Sequence, residues 1–224
     1  MNFYELVYYV FEMIGVVAFA VSGAMVAINK RVDAFGVILC SVITSLGGGI
    51  IRDILIGISP PKFFSSYVYM LGAVLTAAIV FIIAFIFKEE YQKRSVMIDS
   101  INNIFDAVGL GIFTVTGAKI AYESGFTTNG ILVVSLATIT GIGGGILRDL
   151  MLREIPFVLK KRVYALASII GATVYHLLYT HAVHYRAATV ITVIAVFVIR
   201  ICATVFEWDL PSVKIKSDKK NAGD

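Results

Sequence analysis

Long apolar runs separated by short charged clusters dominate the hydrophobic pattern of this chain. A helix that crosses a bilayer needs about 20 mostly apolar residues. The segments that reach this length are 6–28, 34–58, 67–87, 104–121, 129–152, 163–180 and 186–206. The linkers between them are short, and the longest is the charged stretch 88–99. The pattern therefore predicts an all-α polytopic membrane protein with seven transmembrane helices.

The composition argues against a soluble protein. Of the 224 residues, 58% are hydrophobic and only 15% are charged, which is too few to cover the surface of a soluble domain of this size. The net charge of +4 does not indicate nucleic acid as a partner. The basic residues flank apolar spans, where they set orientation and contact membrane lipids.

The distribution of basic residues among the linkers predicts the orientation. One side of the membrane receives Lys30, Arg31, Lys88, Lys93, Arg94, Arg153, Lys160, Lys161, Arg162, Lys214, Lys216, Lys219 and Lys220, and the other receives only Lys62, Lys119 and Arg186. Basic linkers stay in the cytoplasm, so we expect an outside N-terminus and a cytoplasmic C-terminus in a prokaryotic inner membrane. We expect residues 1–208 to form one transmembrane domain and 209–224 to be a disordered basic tail.

The chain contains an internal repeat. Glu12, Gly15, Ser22-Gly23-Ala24 and Gly36 recur 94 positions later as Asp106, Gly109, Thr116-Gly117-Ala118 and Gly130. The motif Gly-Gly-Gly-x-x-Arg-Asp at 47–53 recurs 96 positions later at 143–149. Each copy, about 6–87 and 104–180, holds three spans, so the second must enter the membrane from the opposite side. The sequence thus predicts two inverted three-helix repeats plus a seventh helix at about 186–206.

The glycine triplets are the strongest candidates for a functional site. Gly47, Gly48 and Gly49 lie inside the second span, and Gly143, Gly144 and Gly145 inside the fifth. Glycine in a helix interior costs about 1 kcal/mol relative to alanine, and a broken helix at membrane depth is tolerated only against protein or water. We therefore expect a local break that lines a hydrated path. The alternative is close helix packing through small residues.

Charged residues follow each triplet. Arg52, Asp53, Arg148 and Asp149 lie within apolar spans, where charges usually face an interior or a cavity. Either each arginine pairs with an aspartate, across the pseudo-two-fold axis for example, or these residues contact the solute. An adjacent arginine favours the charged form of each aspartate. A paired-carboxylate enzyme is therefore not expected, and no other catalytic constellation is present.

Several further residues have two interpretations. Glu12 and Asp106 are either interfacial acids or helix caps, or carboxylates that concentrate cations at a pore mouth. Lys119, which replaces Met25 in the repeat, either extends to the interface or projects into the pore. Hydroxyls near the glycine elements either line a path or bond to their own helices; they belong to Ser22, Thr44, Ser45, Thr116, Thr138 and Thr140.

Metal and disulfide chemistry is not expected. His176, His181 and His184 have no zinc-site spacing and are interpreted as interfacial histidines. Cys40 and Cys202 are interpreted as small apolar residues of two spans, without a disulfide. The sequence gives no reason to expect a cofactor.

The doubled Gly-Gly-Gly-x-x-Arg-Asp motif, the matched Ser/Thr-Gly-Ala and the seven spans resemble the prokaryotic branch of the trimeric intracellular cation (TRIC) channels. The resemblance covers about 12–206. It implies a homotrimer with one pore per protomer that conducts monovalent cations, chiefly potassium. It also implies that Gly47–Gly49 and Gly143–Gly145 are pore kinks, with the Arg-Asp pairs as charged elements below them.

The leading hypothesis is therefore a potassium-preferring monovalent cation channel whose pore runs between the two repeats. The alternative is a secondary transporter for a small zwitterion such as glycine, because close bacterial relatives in the resembled family carry that label and helix-end amides could hold a carboxylate. A purely structural protein would leave the two glycine elements unexplained.

Replacement of Gly48 or Gly144 by leucine is expected to abolish transport while leaving membrane insertion intact, because a large side chain would fill the predicted path. Flux into proteoliposomes measures transport, and membrane fractionation measures insertion. Normal flux in both variants would show that the triplets do not line the path.

Overall fold

The computed structural model describes residues 3–127, 129–160 and 163–208, and these residues form helices joined by short loops. The helices are α1 (Phe3–Asn29), α2 (Ala34–Leu55), α3 (Lys62–Ser65), α4 (Tyr67–Ile86), α5 (Lys88–Lys93), α6 (Ser95–Glu123), α7 (Gly130–Met151), α8 (Phe157–Lys160), α9 (Val163–Thr180) and α10 (Tyr185–Val205). Of these, α1, α2, α4, α6, α7, α9 and α10 are long and apolar enough to cross a membrane. The prediction of seven spans in an all-α fold is confirmed, whereas Lys161, Arg162 and the tail 209–224 lie outside the described residues.

The charged stretch 88–99, predicted as the longest linker between spans, is largely helical. It forms α5 and the first turns of α6, which begins at Ser95 rather than near residue 104. Glu90 pairs with Lys93 and Arg94 at N···O distances of 3.9 and 3.2 Å. Charged residues three and four positions apart lie on one helix face and stabilise it, so high charge density here accompanies helix rather than loop.

The outer surface of the bundle is apolar. Many large hydrophobic side chains are exposed, including Phe85 at 73% and Ile131 at 83%. The helices α4 and α10 bury little of their length, whereas α6 is mostly buried and packs against α1, α7, α9 and α10. Such a surface is suited to lipid rather than water, and α6 is the central element of the core.

The two repeats fold into equivalent three-helix units, α1–α2–α4 and α6–α7–α9. A β-carbon on Gly23 of α1 would lie 2.7 Å from the Thr44 hydroxyl oxygen of α2. A β-carbon on Gly117 of α6 would lie 2.6 Å from the Thr140 hydroxyl oxygen of α7. The first and second helices of each unit therefore cross at the same repeat positions. The prediction of two inverted three-helix repeats plus a seventh helix is confirmed.

The two units meet through a reciprocal contact between α2 and α7. A β-carbon on Gly48 would overlap the backbone carbonyl oxygen of Thr140, and one on Gly144 would overlap that of Thr44. A β-carbon on Gly143 would lie 3.1 Å from the Cα atom of Gly48. Contacts of this reciprocal kind are the signature of a two-fold axis, and here they place backbone directly against backbone.

The glycine triplets do not interrupt their helices. Residues 47–49 lie within the continuous helix α2, and residues 143–145 lie within the continuous helix α7. The expected local helix break is therefore wrong, and the alternative of close packing through small residues describes these positions. Glycine lowers the intrinsic stability of a helix, but no other residue allows two backbones to approach this closely.

An aromatic pair lies where α1 crosses α6 near the same axis. The rings of Phe19 and Phe113, which are equivalent in the repeat, stack with centroids 5.2 Å apart. Gly15 and Gly109, also equivalent, make room for them: a β-carbon on Gly109 would overlap the Phe19 ring, and one on Gly15 would lie 2.6 Å from Ile112. The midplane of the bundle is therefore filled by apolar side chains.

Alanine at Gly48 or Gly144 is expected to destabilise the bundle by about 1–3 kcal/mol, the usual range for overpacking, because the added methyl group meets a backbone carbonyl that cannot turn away. Thermal unfolding of the purified protein in detergent measures the loss. Gly145→Ala is the matched control, since its β-carbon would contact only the Tyr164 hydroxyl at 3.3 Å and an Arg148 nitrogen at 3.8 Å.

Equal stability of all three variants would contradict the backbone contact. The same geometry changes the interpretation of leucine at Gly48 or Gly144. Because even a methyl group overlaps the facing helix, loss of flux in a leucine variant would report disrupted packing of α2 on α7 as well as obstruction of a path.

Candidate functional site

Each Arg-Asp motif forms an ion pair between neighbours and fastens the loop that follows. In the first repeat, Arg52 donates from Nε and Nη2 to Oδ1 of Asp53 at 2.8 and 2.7 Å. The other oxygen of Asp53 accepts a hydrogen bond at 2.8 Å from the backbone N–H of Lys62, the first residue of α3. Both side chains are fully buried. The carboxylate thus neutralises the guanidinium and also holds the start of the next helix.

The second repeat repeats this arrangement. Arg148 donates from Nε to Oδ1 of Asp149 at 2.8 Å, and Oδ2 of Asp149 accepts from the backbone N–H of Phe157, the first residue of α8, at 2.6 Å. The arginines therefore pair with the adjacent aspartate, not with the aspartate across the pseudo-two-fold axis. Burial of a charge is tolerated only with such partners.

In the second repeat the ion pair extends into a larger cluster. Asp106 of α6 lies with one oxygen 3.5 Å from Nη1 of Arg148 and with the other 3.7 Å from Nη2 of Arg200. Ser22 of α1 accepts a hydrogen bond from Arg148 at 2.9 Å and donates to Asp106 at 3.4 Å. All of these side chains are buried. We call Ser22, Asp106, Arg148, Asp149 and Arg200 the Asp106 cluster.

Arg200 is the member that the sequence analysis did not assign to the site. It comes from α10, outside the repeats, and its guanidinium carbon lies 4.6 Å from the ring centre of Tyr164 and 5.5 Å from that of Phe157. These are favourable cation–π distances. The available signal was a single arginine in an otherwise apolar span, which usually marks an interior site.

Several polar atoms of this region have no hydrogen-bond partner among the described residues. They are Oδ2 of Asp106, Nε and Nη2 of Arg200, and the hydroxyl of Tyr164. Arg200 and Asp106 are within ion-pair distance but make no hydrogen bond. Buried polar atoms are normally satisfied, so these atoms of Asp106, Arg200 and Tyr164 are exceptions to that rule.

The equivalent positions of the first repeat are connected differently. Glu12, the counterpart of Asp106, accepts a hydrogen bond from the Tyr69 hydroxyl at 2.7 Å. Thr116, the counterpart of Ser22, and Nη1 of Arg52 are both buried without a partner among the described residues. The bond that joins Arg148 to Ser22 is therefore not formed between Arg52 and Thr116. The Glu12–Tyr69 pair and the Arg52–Asp53 pair remain separate.

Lys119 lies near the C-terminal end of α6 and is half-buried. Its Nζ atom is 3.1 Å from the ring centre of Tyr8 and 3.2 Å from Oε1 of Glu123. A cavity of about 340 Å³ opens beside it, lined also by Phe11 and Tyr185. The cation is thus held between an aromatic face and a carboxylate on its own helix. Its predicted role as a pore charge stays a prediction.

The remaining polar residues divide into two groups. Thr44, Ser45 and Thr140 donate to the carbonyl oxygens of Cys40, Ser41 and Leu136 in their own helices at 2.6 Å. Such bonds slightly destabilise the helix, and they use the hydroxyl proton that could otherwise be donated to a solute. The Thr138 hydroxyl, like that of Thr116, has no partner within the described part of the chain.

The histidines take part in local contacts. His176 hydrogen-bonds to the Tyr122 hydroxyl, His181 contacts the Leu177 carbonyl oxygen, and His184 accepts from the backbone N–H of Arg186. In the ranges 3–127, 129–160 and 163–208, no group of three potential metal ligands is found. Cys40 and Cys202 are both free cysteines.

Comparisons with known proteins give one consistent result. The family model described as "Glycine transporter" matches twice, at residues 9–85 and 103–180. The chain is 32% identical over 207 residues to the UPF0126 membrane protein YvgT of Bacillus subtilis (strain 168), covering 92% of this chain and 96% of the relative.

Solved structures are similar over nearly the whole chain. A prokaryotic TRIC channel in 0.5 M KCl shares 35% identity with a TM-score of 0.80, covering 92% of this chain and 100% of that one. The TRIC trimeric intracellular cation channel orthologue from Rhodobacter sphaeroides shares 30% identity with a TM-score of 0.79, covering 90% and 99%. The resemblance to the prokaryotic TRIC channels inferred from the repeated motif is confirmed.

Asp106→Asn is expected to lower the free energy of unfolding by about 3–5 kcal/mol, the usual cost of leaving a buried charge without its partner, because Asp106 faces both Arg148 and Arg200. Thermal or denaturant unfolding in detergent measures this change. The matched control is Glu90→Gln, which removes the exposed ion pair to Arg94 and should cost less than about 1 kcal/mol. Equal effects in the two variants would show that the Asp106 cluster does not compensate its buried charges.

Proposed function

The chain belongs to the family described as "Glycine transporter", and we propose that it is a monovalent cation channel, preferring potassium, with one pore per protomer. The observation that carries the proposal is the likeness, along almost the entire chain and at 35% identity, to a TRIC channel. The solved structures that it resembles are channels and not enzymes, in agreement with the expectation of a non-enzymatic role.

The proposed pore runs between the two repeats, past both glycine triplets. At mid-height it is closed by the stacked rings of Phe19 and Phe113 and by the backbone contact of Gly48 and Gly144 with the facing helices. Conduction therefore requires α2 and α7 to move apart. Because glycine has no side chain, α2 and α7 can separate without moving large side chains past each other. We propose that they separate by kinking at the glycine triplets.

The buried charges favour a cation over an anion. In the described part of the chain the buried acids are Glu12, Asp53, Asp106 and Asp149, and the buried arginines are Arg52, Arg148 and Arg200. Each of the last three acids lies beside an arginine, whereas Glu12 accepts a hydrogen bond from the hydroxyl of Tyr69 and has no ion pair with an arginine or lysine among the described residues. Glu12 is thus the fourth buried acid beside three buried arginines, and we propose that it attracts cations to one mouth of the pore.

The chain is an integral membrane protein, and we propose that it is a homotrimer in a prokaryotic inner membrane with its N-terminus outside. The uneven distribution of basic residues between the two sides supports this orientation. In it, Glu12 and Lys119 lie towards the outside and the Asp106 cluster lies towards the cytoplasm. The trimer is supported by the likeness to channels named as trimeric.

A second candidate is a secondary transporter for a small zwitterion such as glycine. The description of the matching family model favours it, and so does the chemistry of the Asp106 cluster. An amino acid presents a carboxylate, which would accept hydrogen bonds from Nε and Nη2 of Arg200, and an ammonium group, which would donate a hydrogen bond to Oδ2 of Asp106. The two charges of the solute would replace the long Arg200–Asp106 contact of 3.7 Å.

Purified protein in a planar bilayer under a potassium chloride gradient is expected to give discrete, cation-selective current steps, because a continuous pore passes many ions per opening. A reversal potential near that of potassium measures the selectivity, and protein-free bilayers provide the control. Steps that reverse near the chloride potential would contradict the cation preference.

The same preparation in liposomes separates the two candidates. Current steps without saturable glycine uptake support the channel. A silent bilayer together with saturable glycine uptake, abolished in Arg200→Gln but not in Arg94→Gln, would overturn the channel and establish the transporter. The two arginine variants remove the same charge, but only Arg200 lies in the Asp106 cluster.

A further inference from the structure

A cavity away from the proposed pore lies where the C-terminal end of α1 meets the junction of α4 and α5 and the start of α6. Its volume is about 690 Å³. Six of its lining residues carry polar side chains that can donate hydrogen bonds: Asn29, Arg31, Lys88, Tyr91, Gln92 and Ser95. The remaining wall, formed by Ile28 and Ala84, is apolar. Nothing in the proposed conduction path uses this cavity.

The charge of the cavity wall is positive and uncompensated. The side chains of Arg31 and Lys88 make no hydrogen bond or ion pair with any residue in the described ranges, and no carboxylate lines the cavity. Their neighbours behave differently: Lys30 pairs with Glu154, and Arg94 pairs with Glu90. Two unpaired cations that converge on one cavity indicate an anionic ligand, because each would gain a partner that the protein itself does not supply.

Tyr91 adds a neutral donor to the wall. Its hydroxyl is buried without a partner among the described residues. Burial, with a smaller contribution from the negative charge of Asp99, raises the pKa of Tyr91 to about 12. The hydroxyl therefore stays protonated at physiological pH and can donate a hydrogen bond. Asp99 itself does not line the cavity and accepts a long hydrogen bond from Asn29 at 3.4 Å.

The cavity lies at the edge of the apolar surface of the bundle. Phe85, Ile86 and Phe87, at the end of α4, are exposed immediately before Lys88. A molecule with acyl chains against this surface would carry its headgroup to the level of the cavity. A soluble anion would gain nothing from the apolar wall or from these neighbouring side chains.

We propose that this cavity binds the phosphate headgroup of an anionic phospholipid, with Arg31 and Lys88 as its charge partners and Tyr91 as an additional donor. In the orientation proposed above, the cavity faces the cytoplasmic leaflet. Basic pockets between transmembrane helices on that side are suited to such headgroups. The site is independent of ion conduction, and the proposal stands whether the protein is a channel or a transporter.

The test uses full-length protein in nanodiscs of phosphatidylcholine that contain a small fraction of labelled phosphatidylglycerol, with retained lipid counted after detergent exchange. The double variant Arg31→Gln/Lys88→Gln is expected to weaken retention about 30-fold, since each basic residue contributes about 1 kcal/mol. The matched control, Lys93→Gln/Arg94→Gln, removes the same charge from residues that do not line the cavity and should retain the lipid as the unchanged protein does.

Tyr91→Phe keeps both charges and is expected to weaken retention by a few-fold, which provides a second reading if the double variant fails to fold. Equal losses in the double variant and its control would show nonspecific surface attraction and overturn the site. Competition of labelled lipid by millimolar inorganic phosphate would assign the cavity to a soluble anion instead. Absence of phosphatidylglycerol retention by the unchanged protein would also overturn the proposal.

Discussion

The backbone contact between α2 and α7 is the constraint on which the rest of the structure depends. Gly48 and Gly144 each face the carbonyl oxygen of a threonine on the other helix, at a separation that no side chain permits. Because the contact is reciprocal, it fixes the two repeats about a common axis. The stacking of Phe19 on Phe113 then follows, since α1 and α6 are carried by the same two units. In a membrane, where lipid is as apolar as the helices, such close van der Waals packing is a principal source of helix association.

The buried charges depend on this framework in turn. Arg52 and Arg148 lie one helical turn beyond their triplets and are each neutralised by the next residue along the chain. The same aspartates bind the first N–H group of the following short helix. One carboxylate therefore compensates a buried cation and ends the helix in a defined loop. An uncompensated charge at this depth would cost several kcal/mol. Because each arginine is followed by its own aspartate, a charged pair can lie beside the glycine contact without that cost.

The seventh helix makes the two ends of the bundle unequal. Arg200 of α10 enters only the Asp106 cluster, where Arg148 and Ser22 already connect the two repeats. At the other end, Glu12 accepts a hydrogen bond from Tyr69, and among the described residues Arg52 makes no hydrogen bond to Thr116. A duplicated protein thus has one densely connected charged end and one loosely connected end. Because of this asymmetry, the two ends of the bundle differ although the repeats are otherwise equivalent.

The sequence by itself determined the spans, the duplication and the positions of the intramembrane charges, because run length, glycine spacing and isolated charges are local properties of the chain. It also placed Glu12 and Asp106 in equivalent positions. Only the tertiary structure decided between a helix break and close packing at the glycine triplets, since three glycines weaken a lone helix and also permit a tight crossing. The outcome depends on the backbone of the other repeat, which is distant in sequence. Likewise, the pairing of each arginine with its neighbour and the docking of Arg200 required the positions of several helices at once, which no local pattern contains.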